Sequence, residues 1–351
     1  MNIIYIASAK SIHTIRWINF FAINNQITWI NTGDPTNETI NEFKGLKNSV
    51  EIYNLNNIFD LNKIIYILLF KKYNLVHLHY LGWHSLLTIL MRPKSNLLLT
   101  PWGSDLLVNR SFLKRIWLSI LMKKAKYIIC DSDRLKIASI KLGANINNIS
   151  VIMFGIDTNL YKCSRRIFSN KDKIIIGSNR KLEPIYDIFT FLKAAKIICK
   201  KRNDIYFLIA GNGSLNNKVL EFIKKENLRK RIRLLGLLNK KQMLNFYNDI
   251  DIYVSTALSD GGLSSSTAEA MAFERLIIIT NNSDNKLWVN SKNGYLFKNK
   301  NYLKLAEIID NVIQNKIKNL SIASNARIII EEKYSYKKEM SRVQKVYDKF
   351  N

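Results

Sequence analysis

Residues 252–272 read IYVSTALSDGGLSSSTAEAMA, and this stretch decides what kind of fold the chain can adopt. Its apolar start, Ile252 to Ser255, has the composition of a buried strand. Two glycines and then four consecutive hydroxyl residues, Ser264 to Thr267, follow, and Ala268 to Phe273 has the composition of a helix start. Such a strand, glycine loop and helix can hold an anion, because the glycines permit close backbone approach and the first N–H groups of a helix lack partners. The alternative is an ordinary loop before a capped helix.

The same succession of strand, loop and helix recurs along the whole chain. Alternating strands and helices predict parallel sheets covered on both faces. We therefore predict an α/β protein with two doubly wound domains, residues 1–163 and 164–330, and a helix over 331–351 that packs back on them. Ligands of such sheets sit beyond the carboxyl ends of the strands, which predicts a site in the cleft between the domains. The predicted strands are 3–7, 26–31, 50–53, 75–79, 97–100, 127–131, 150–152, 173–177, 205–210, 232–235, 251–255, 276–280 and 294–297.

Composition excludes several classes of protein. Hydrophobic residues make up 47% of the 351 residues, which is enough for two cores, yet no apolar run reaches the length of a membrane span. Residues 1–6 predict a strand and not a signal peptide, because a basic start and a long apolar stretch are missing. Three cysteines, Cys130, Cys163 and Cys199, are far apart and lack metal-ligand spacing. We expect a reducing cytoplasm, without disulfides or zinc.

The net charge of +27 invites a nucleic-acid interpretation, but the distribution of charge argues against it. Residues 1–163 hold 19 Lys/Arg and 9 Asp/Glu, and residues 164–351 hold 35 and 18. The excess is therefore spread over both halves and not gathered in one arm. Part of it reflects a chain rich in Ile, Asn and Lys together, and the rest suits an anionic membrane surface or an anionic substrate.

The stretch that ends in Glu269-Ala270-Met271-Ala272 resembles the signature of GT-B glycosyltransferases of the family 4 type, and the resemblance covers nearly the whole chain. It implies a GT-B fold of two Rossmann-like domains with an interdomain cleft. It also implies that the helix start meets a donor diphosphate, that Glu269 holds the nucleotide ribose and that Asp260 contacts the donor sugar. Asp260 is shorter than the usual Glu and one residue further from Glu269, so we expect it to reach a different sugar hydroxyl. The implied donor-binding residues of this stretch are Gly261, Gly262, Leu263, Ser264, Ser265, Thr267 and Glu269.

A second match opens the second domain. The family carries an Arg there and a Lys several residues on, and both neutralise donor phosphates. Arg180 matches the Arg, whereas the Lys position holds Ile185 or Tyr186. Lys181 and Lys10 are the candidate substitutes. Lys10 lies in the loop after the first strand, where the family's glycine pair is absent, and a solvated side chain is its alternative interpretation. Cations suit these positions because the leaving nucleotide gathers negative charge and the resemblance implies no metal.

Two further candidates follow strands of the first domain. His77 and His79 end the fourth strand, and alternation along the strand leads us to expect one in the core. His79, nearer the strand end, is expected in the cleft, because the family often has a His near the reacting centre. Asp105 follows the fifth strand and could bind or orient the acceptor hydroxyl, or cap a helix.

Together these features predict a retaining sugar transferase of the hexosyl or N-acetylhexosaminyl type. The expected partners are a UDP- or GDP-sugar donor and a lipid-linked or surface-polysaccharide acceptor, as in lipopolysaccharide or capsule synthesis. No cofactor, metal or nucleic acid is expected. Residues 112–126 are amphipathic and basic, which indicates either peripheral contact with anionic lipid at the cytoplasmic face or a helix packed on the sheet with a solvated edge. The rival hypotheses are a nucleotide-sugar epimerase and a non-catalytic polyanion-binding protein.

Overall fold

The structure is a computed structural model that describes residues 1–37, 39–46, 49–91, 95–107, 111–170, 172–260, 263–282 and 285–351. It divides into two compact units. The first comprises residues 1–155 and the returning segment 337–351, and the second comprises residues 156–336. Each unit is a parallel sheet with helices on its faces, so each can be described by itself.

The first unit holds a seven-stranded parallel sheet in the order β3-β2-β1-β4-β5-β6-β7. Its strands are β1 (Asn2–Ala7), β2 (Gln26–Asn31), β3 (Val50–Asn54), β4 (Leu75–His79), β5 (Leu97–Thr100), β6 (Tyr127–Cys130) and β7 (Ile149–Val151). Its helices are α1 (Ile12–Phe21), α2 (Ile40–Lys44), α3 (Ile58–Phe70), α4 (Ser104–Leu107), α5 (Phe112–Lys124) and α6 (Asp133–Lys141), with 3-10 turns at Trp83–Leu90 and Ile146–Asn148.

The second unit holds a six-stranded parallel sheet in the order β10-β9-β8-β11-β12-β13. Its strands are β8 (Ile174–Ser178), β9 (Ile205–Ala210), β10 (Ile232–Gly236), β11 (Ile252–Ser255), β12 (Leu276–Thr280) and β13 (Tyr295–Phe297). Its helices are α7 (Ile188–Lys201), α8 (Asn216–Lys225), α9 (Lys240–Asp249), α10 (Ser265–Ala272), α11 (Asn285–Trp288), α12 (Tyr302–Gln314) and α13 (Lys316–Lys333), with a 3-10 turn at Pro184–Tyr186. Among the described residues, no helix combines the length and the apolar character needed to span a membrane.

Each of these strands lies within one residue of its predicted position. The reason is that strands buried on both faces need nearly continuous apolar side chains, among which isoleucine is the most frequent in this chain. In each sheet the strand order reverses next to the first strand of the unit, between β1 and β4 and between β8 and β11. Ligands of doubly wound sheets bind beyond the carboxyl ends of the strands at this reversal. The candidate site residues lie at or after the carboxyl ends of β1, β4, β5, β8 and β11.

The C-terminal segment is two helices, where the sequence predicted one. The helix α13 ends at Lys333, and α14 (Tyr336–Tyr347) begins after a break at which Ser335 pairs with Ile156 in an isolated parallel bridge. A short 3-10 turn, Asp348–Phe350, follows. Most of α14 packs on the first unit, where Glu339 accepts a hydrogen bond from the Met153 backbone N–H at 2.7 Å.

Candidate active site

The helix α10 begins directly after the glycine loop. Its N-cap is Ser264, whose Oγ accepts a hydrogen bond from the Thr267 backbone N–H at 3.3 Å and lies 2.8 Å from Thr267 Oγ1. The helix therefore starts at Ser265 and not at Ala268, because the capping residue sets the start and not the first apolar residue. Leu263 is buried and Ser265 is partly exposed. Gly261 and Gly262, both predicted to bind the donor, lie outside the described residues.

Arg180, two residues after β8, reaches the start of this helix. Its Nη1 donates to Ser266 Oγ at 3.0 Å, and its Nη2 forms a 2.5 Å ion pair with Asp260 Oδ1. Both side chains are largely buried, with 12% of Arg180 and 6% of Asp260 exposed. Burial alone would lower the pKa of Arg180, but Tyr253, Asp260 and Tyr186 together raise it. The guanidinium is thus a permanent cation held beside the positive end of α10.

Of Ile185 and Tyr186, the two candidates for the family's Lys position, the tyrosine contacts Arg180. The Arg180 guanidinium lies over the Tyr186 ring, 4.6 Å from its centroid, which is a cation–π contact. The turn that contains Tyr186 is fixed by two bonds, because Thr256 Oγ1 donates to Tyr186 O at 2.9 Å and Leu258 N donates to Ile185 O at 2.8 Å. Lys181 is exposed, and Tyr186 supports Arg180 and supplies no charge of its own.

Glu269, one turn into α10, accepts hydrogen bonds from two tyrosines that the sequence analysis did not select. The Tyr161 hydroxyl donates to Oε1 at 3.0 Å, and the Tyr247 hydroxyl lies 2.8 Å from Oε2. Burial, reinforced by the charge of Glu269, raises the pKa of Tyr247 well above its usual value, so its hydroxyl stays protonated and can donate. A carboxylate has about four lone-pair positions, so an oriented Glu269 can accept further hydrogen bonds from sugar hydroxyls.

In the first unit, both histidines of β4 lie on the same side of the sheet, with ring centroids 4.3 Å apart. The expectation that alternation would separate them was wrong, because residues i and i+2 of a strand share a face. His77 is a core residue: its Nδ1 lies 2.6 Å from the Tyr347 hydroxyl of α14, and its Nε2 lies 2.7 Å from Thr100 Oγ1. His79 is also buried, and within the described residues its Nε2 has no hydrogen-bond partner.

Aromatic rings surround His79 and continue to the surface of the first unit. The rings of Trp17 and Trp102 lie 4.9 and 5.7 Å from that of His79. Phe154 stacks on His13 with ring centroids 4.4 Å apart, and its ring lies tilted against that of Trp102 at 4.8 Å. His13, Trp102 and Phe154 are each partly exposed. The sequence carried no periodic signal for this cluster, because its members follow different strands.

The two other candidates of the first unit have different environments. Asp105 is fully buried, and its carboxylate accepts hydrogen bonds from the backbone N–H groups of Leu81, Trp102 and Gly103 at 2.8 to 3.2 Å. These contacts favour a structural role that ties the β5 loop to the β4 loop, although burial still raises the pKa of Asp105. Lys10 is exposed at the end of the β1 loop, and its side chain passes close to Gly33. Acceptor binding by Asp105 and phosphate binding by Lys10 stay predictions.

Burial of His79 makes the stability of the first unit sensitive to acid. Desolvation lowers the pKa of His79 from 6.5 to about 3, so only the unfolded chain takes up a proton between these values. Protonation of His79 therefore does not change the free energy of unfolding above pH 6.5. Below pH 6.5 it lowers that free energy by about 1.4 kcal/mol for each pH unit. We expect replacement of His79 by Phe to reduce the loss of unfolding free energy between pH 7.5 and 5.0 by about 2 kcal/mol.

Urea unfolding followed by tryptophan fluorescence measures this effect, because five of the six tryptophans belong to the first unit. The matched control is Trp17→Phe, which perturbs the same cluster without removing a titrating group and should keep the wild-type pH dependence. An unchanged pH dependence in His79→Phe would show that this histidine does not control acid stability.

Comparison with known proteins agrees with the two-domain fold. Residues 162–328 match the family model for glycosyl transferases group 1, and residues 2–132 match the model for glycosyl transferase 4-like proteins. A solved structure of Anabaena Alr3699/HepE in complex with UDP has a TM-score of 0.81 over 99% of this chain and 100% of that chain, at 17% identity. The two sheets and these matches define a two-domain glycosyltransferase fold. The chain belongs to the GT-B glycosyltransferases, with a group 1 domain as its second unit.

Two curated relatives come from Staphylococcus aureus. The poly(ribitol-phosphate) alpha-N-acetylglucosaminyltransferase of strain COL is 27% identical over 61% of this chain and 44% of its own length. The capsular polysaccharide biosynthesis glycosyltransferase CapM is 24% identical over 66% of this chain and 63% of its own length. The chain thus spans less than two thirds of either relative. The first name describes transfer of N-acetylglucosamine to poly(ribitol-phosphate), and the second describes capsular polysaccharide biosynthesis.

Proposed function

We propose that this chain transfers a hexosyl or N-acetylhexosaminyl group from a UDP-sugar to a saccharide or lipid-linked acceptor of a surface polymer, at the cytoplasmic face of a membrane. The observation that carries the proposal is the contact of Arg180 with Ser266 on the same short helix that presents Glu269. The cation and the helix start can bind the phosphates of a nucleotide. The oriented carboxylate can accept hydrogen bonds from its ribose. UDP is favoured over GDP because the HepE structure contains UDP.

In this proposal, Arg180 and the start of α10 stabilise the negative charge that develops during the reaction. As the bond between the anomeric carbon and the phosphate oxygen breaks, negative charge gathers on the diphosphate. The Arg180 guanidinium and the positive end of α10 stabilise that charge without a metal. The acceptor oxygen forms the new bond to the anomeric carbon on the face that the phosphate leaves, and its proton passes to the departing phosphate oxygen. This route retains the configuration and requires no covalent nucleophile.

A thermal-shift screen against UDP, GDP, ADP and CMP in EDTA tests the proposal. A ligand that binds only the folded state raises the melting temperature by mass action, so we expect a shift with UDP that exceeds the other three. Transfer of radiolabelled glucose or N-acetylglucosamine from the UDP-sugar to a polymer is the second readout. A chain that responds to no nucleotide, or that releases only an epimerised free donor, is not this transferase.

The ion pair with Asp260 sets that carboxylate in competition with a donor phosphate for Arg180. Because the ion pair must open to admit a phosphate, we expect Asp260→Asn to tighten UDP binding by about three- to tenfold in calorimetry. If Asp260 also accepts hydrogen bonds from the donor sugar, Asp260→Asn loses the contacts to that sugar. The variant should then bind UDP-glucose no more tightly than it binds UDP. The control is Asp172→Asn, since Asp172 is an exposed carboxylate of the same unit.

The two variants separate the roles of Asp260. If Asp260→Asn and Asp172→Asn strengthened UDP binding equally, the change in net charge alone would explain the effect. Weaker UDP binding by Asp260→Asn would mean that the carboxylate positions Arg180 for the phosphate and does not oppose it.

A further inference from the structure

The first unit carries an unusually apolar outer surface. The chain exposes 24 large hydrophobic side chains among its described residues, and 13 of them lie on α3, the turn Trp83–Leu90 and α5. We call the exposed side of these three elements the apolar face. The most exposed members on the two helices and the turn include Ile58, Phe59, Phe70, Trp83, Phe112 and Leu113. Contiguous apolar surface of this kind marks an interaction site.

The three elements are neighbours. The Trp117 Nε1–H of α5 donates to Ser85 Oγ at 2.8 Å, and Lys124 Nζ donates to Thr88 O at 2.6 Å, so α5 is attached to the turn. The helix α3 packs against the same turn. Both helices also bury a separate apolar side in the core, with Leu118 and Leu121 on α5 and Ile64 and Leu68 on α3. The exposed side chains are therefore additional to those that folding needs.

Most of the charged side chains on the elements of the apolar face are positive. Residues 58–91 and 111–126 contain eight Lys or Arg and a single acidic residue, Asp60. That carboxylate is already engaged, because it accepts a hydrogen bond from the Asn54 backbone N–H at 2.9 Å. Exposed cations of this set include Lys63, Lys72, Arg115, Lys123 and Lys126. An apolar centre with cations and almost no carboxylates is complementary to anionic headgroups over an acyl interior.

We propose that the apolar face docks the first unit on an anionic lipid bilayer, with its aromatic and aliphatic side chains at the acyl boundary and its cations among the headgroups. A second copy of this chain is a poorer occupant, because a twofold contact would set the same cations against one another. The inference does not depend on the transferase activity, because it concerns binding to lipid and is measured without any donor.

Vesicle sedimentation tests it. We expect the full chain to pellet with vesicles of phosphatidylcholine and phosphatidylglycerol, and much less with phosphatidylcholine alone. The double substitution Phe112→Ser with Leu113→Ser should lower binding at least about tenfold, from the lost apolar insertion. Substitution of Lys114 and Arg115 by Gln should lower it about fivefold for each cation removed. The matched control is Leu303→Ser with Ile317→Ser, two exposed apolar residues of the second unit, which should bind as wild type.

Quenching of tryptophan fluorescence by brominated lipid measures the same contact with lipid and needs only one conservative substitution. Trp83 is 66% exposed on the apolar face, so the quenching should largely disappear in Trp83→Phe. Failure of the wild type to bind anionic vesicles, or equal loss in the Leu303/Ile317 control, would overturn the proposal. The proposal would also be overturned if sedimentation velocity showed a wild-type dimer and the Phe112/Leu113 variant were a monomer that still bound vesicles. The apolar face would then join two copies of the chain.

Discussion

Replacement of Arg180 by Ala is expected to lower kcat/KM for sugar transfer by about a hundred- to a thousandfold, the usual cost of removing one preorganised group that stabilises transition-state charge. The reason lies in the surroundings of this guanidinium. It is largely buried, hydrogen-bonded to Ser266 at the start of α10, and stacked on the Tyr186 ring. With no Lys at that position, the loss of Arg180 should not be compensated from the same turn.

The conservative variant Arg180→Lys sharpens this test. A lysine keeps the charge but cannot donate to Ser266 and to a phosphate through one rigid planar fork, so we expect only partial recovery. Arg229→Ala is the matched control, since it removes an exposed Arg of the same unit far along the chain from α10. If Arg180→Ala transfers sugar as fast as Arg229→Ala, then another cation neutralises the leaving group, and Lys181 or Lys10 becomes the residue to substitute next.

Replacement of Glu269 by Ala is expected to weaken UDP binding by about a hundredfold or more in calorimetry. Each hydrogen bond from a neutral hydroxyl to a charged carboxylate contributes about 1.5 to 3 kcal/mol, and a ribose can donate two. The bonds from Tyr161 and Tyr247 fix the carboxylate before the nucleotide arrives, so little orientational freedom is lost on binding. Glu269→Gln should be intermediate, because the amide keeps one acceptor oxygen and loses the charge.

Two measurements keep this result interpretable. The melting temperature without ligand shows whether the two tyrosines tolerate the loss of their acceptor. Glu221→Ala, an exposed acidic residue on α8, is the matched control and should bind UDP as wild type. Undiminished UDP affinity in a folded Glu269→Ala variant would remove the ribose role. It would also strengthen the rival of a non-catalytic polyanion binder, whose affinity should depend steeply on salt and not on Glu269.

Local sequence was sufficient for the architecture because the relevant physics is local. Strands that are covered on both faces must be apolar along their length, and the apolar runs of β1, β8, β9 and β12 mark their bounds without reference to any other segment. The start of α10 was misjudged by three residues, because the prediction followed the first apolar residue and not the Ser264 cap. The break before α14 was missed because it depends on pairing with Ile156, far away in the chain.

The sequence by itself determined the two doubly wound units, the helix that follows the glycine loop, and Arg180 and Glu269 as the residues most worth testing. Only the tertiary structure decided what these residues touch. The ion pair with Asp260 spans 80 positions and the bond from Tyr161 to Glu269 spans 108, so neither leaves a trace in local periodicity. The burial of Asp105 and the pairing of His77 with Tyr347 are likewise set by packing. Contacts between distant segments follow from how the strands are ordered in the sheet, and a side chain acquires its partners only when that order is complete.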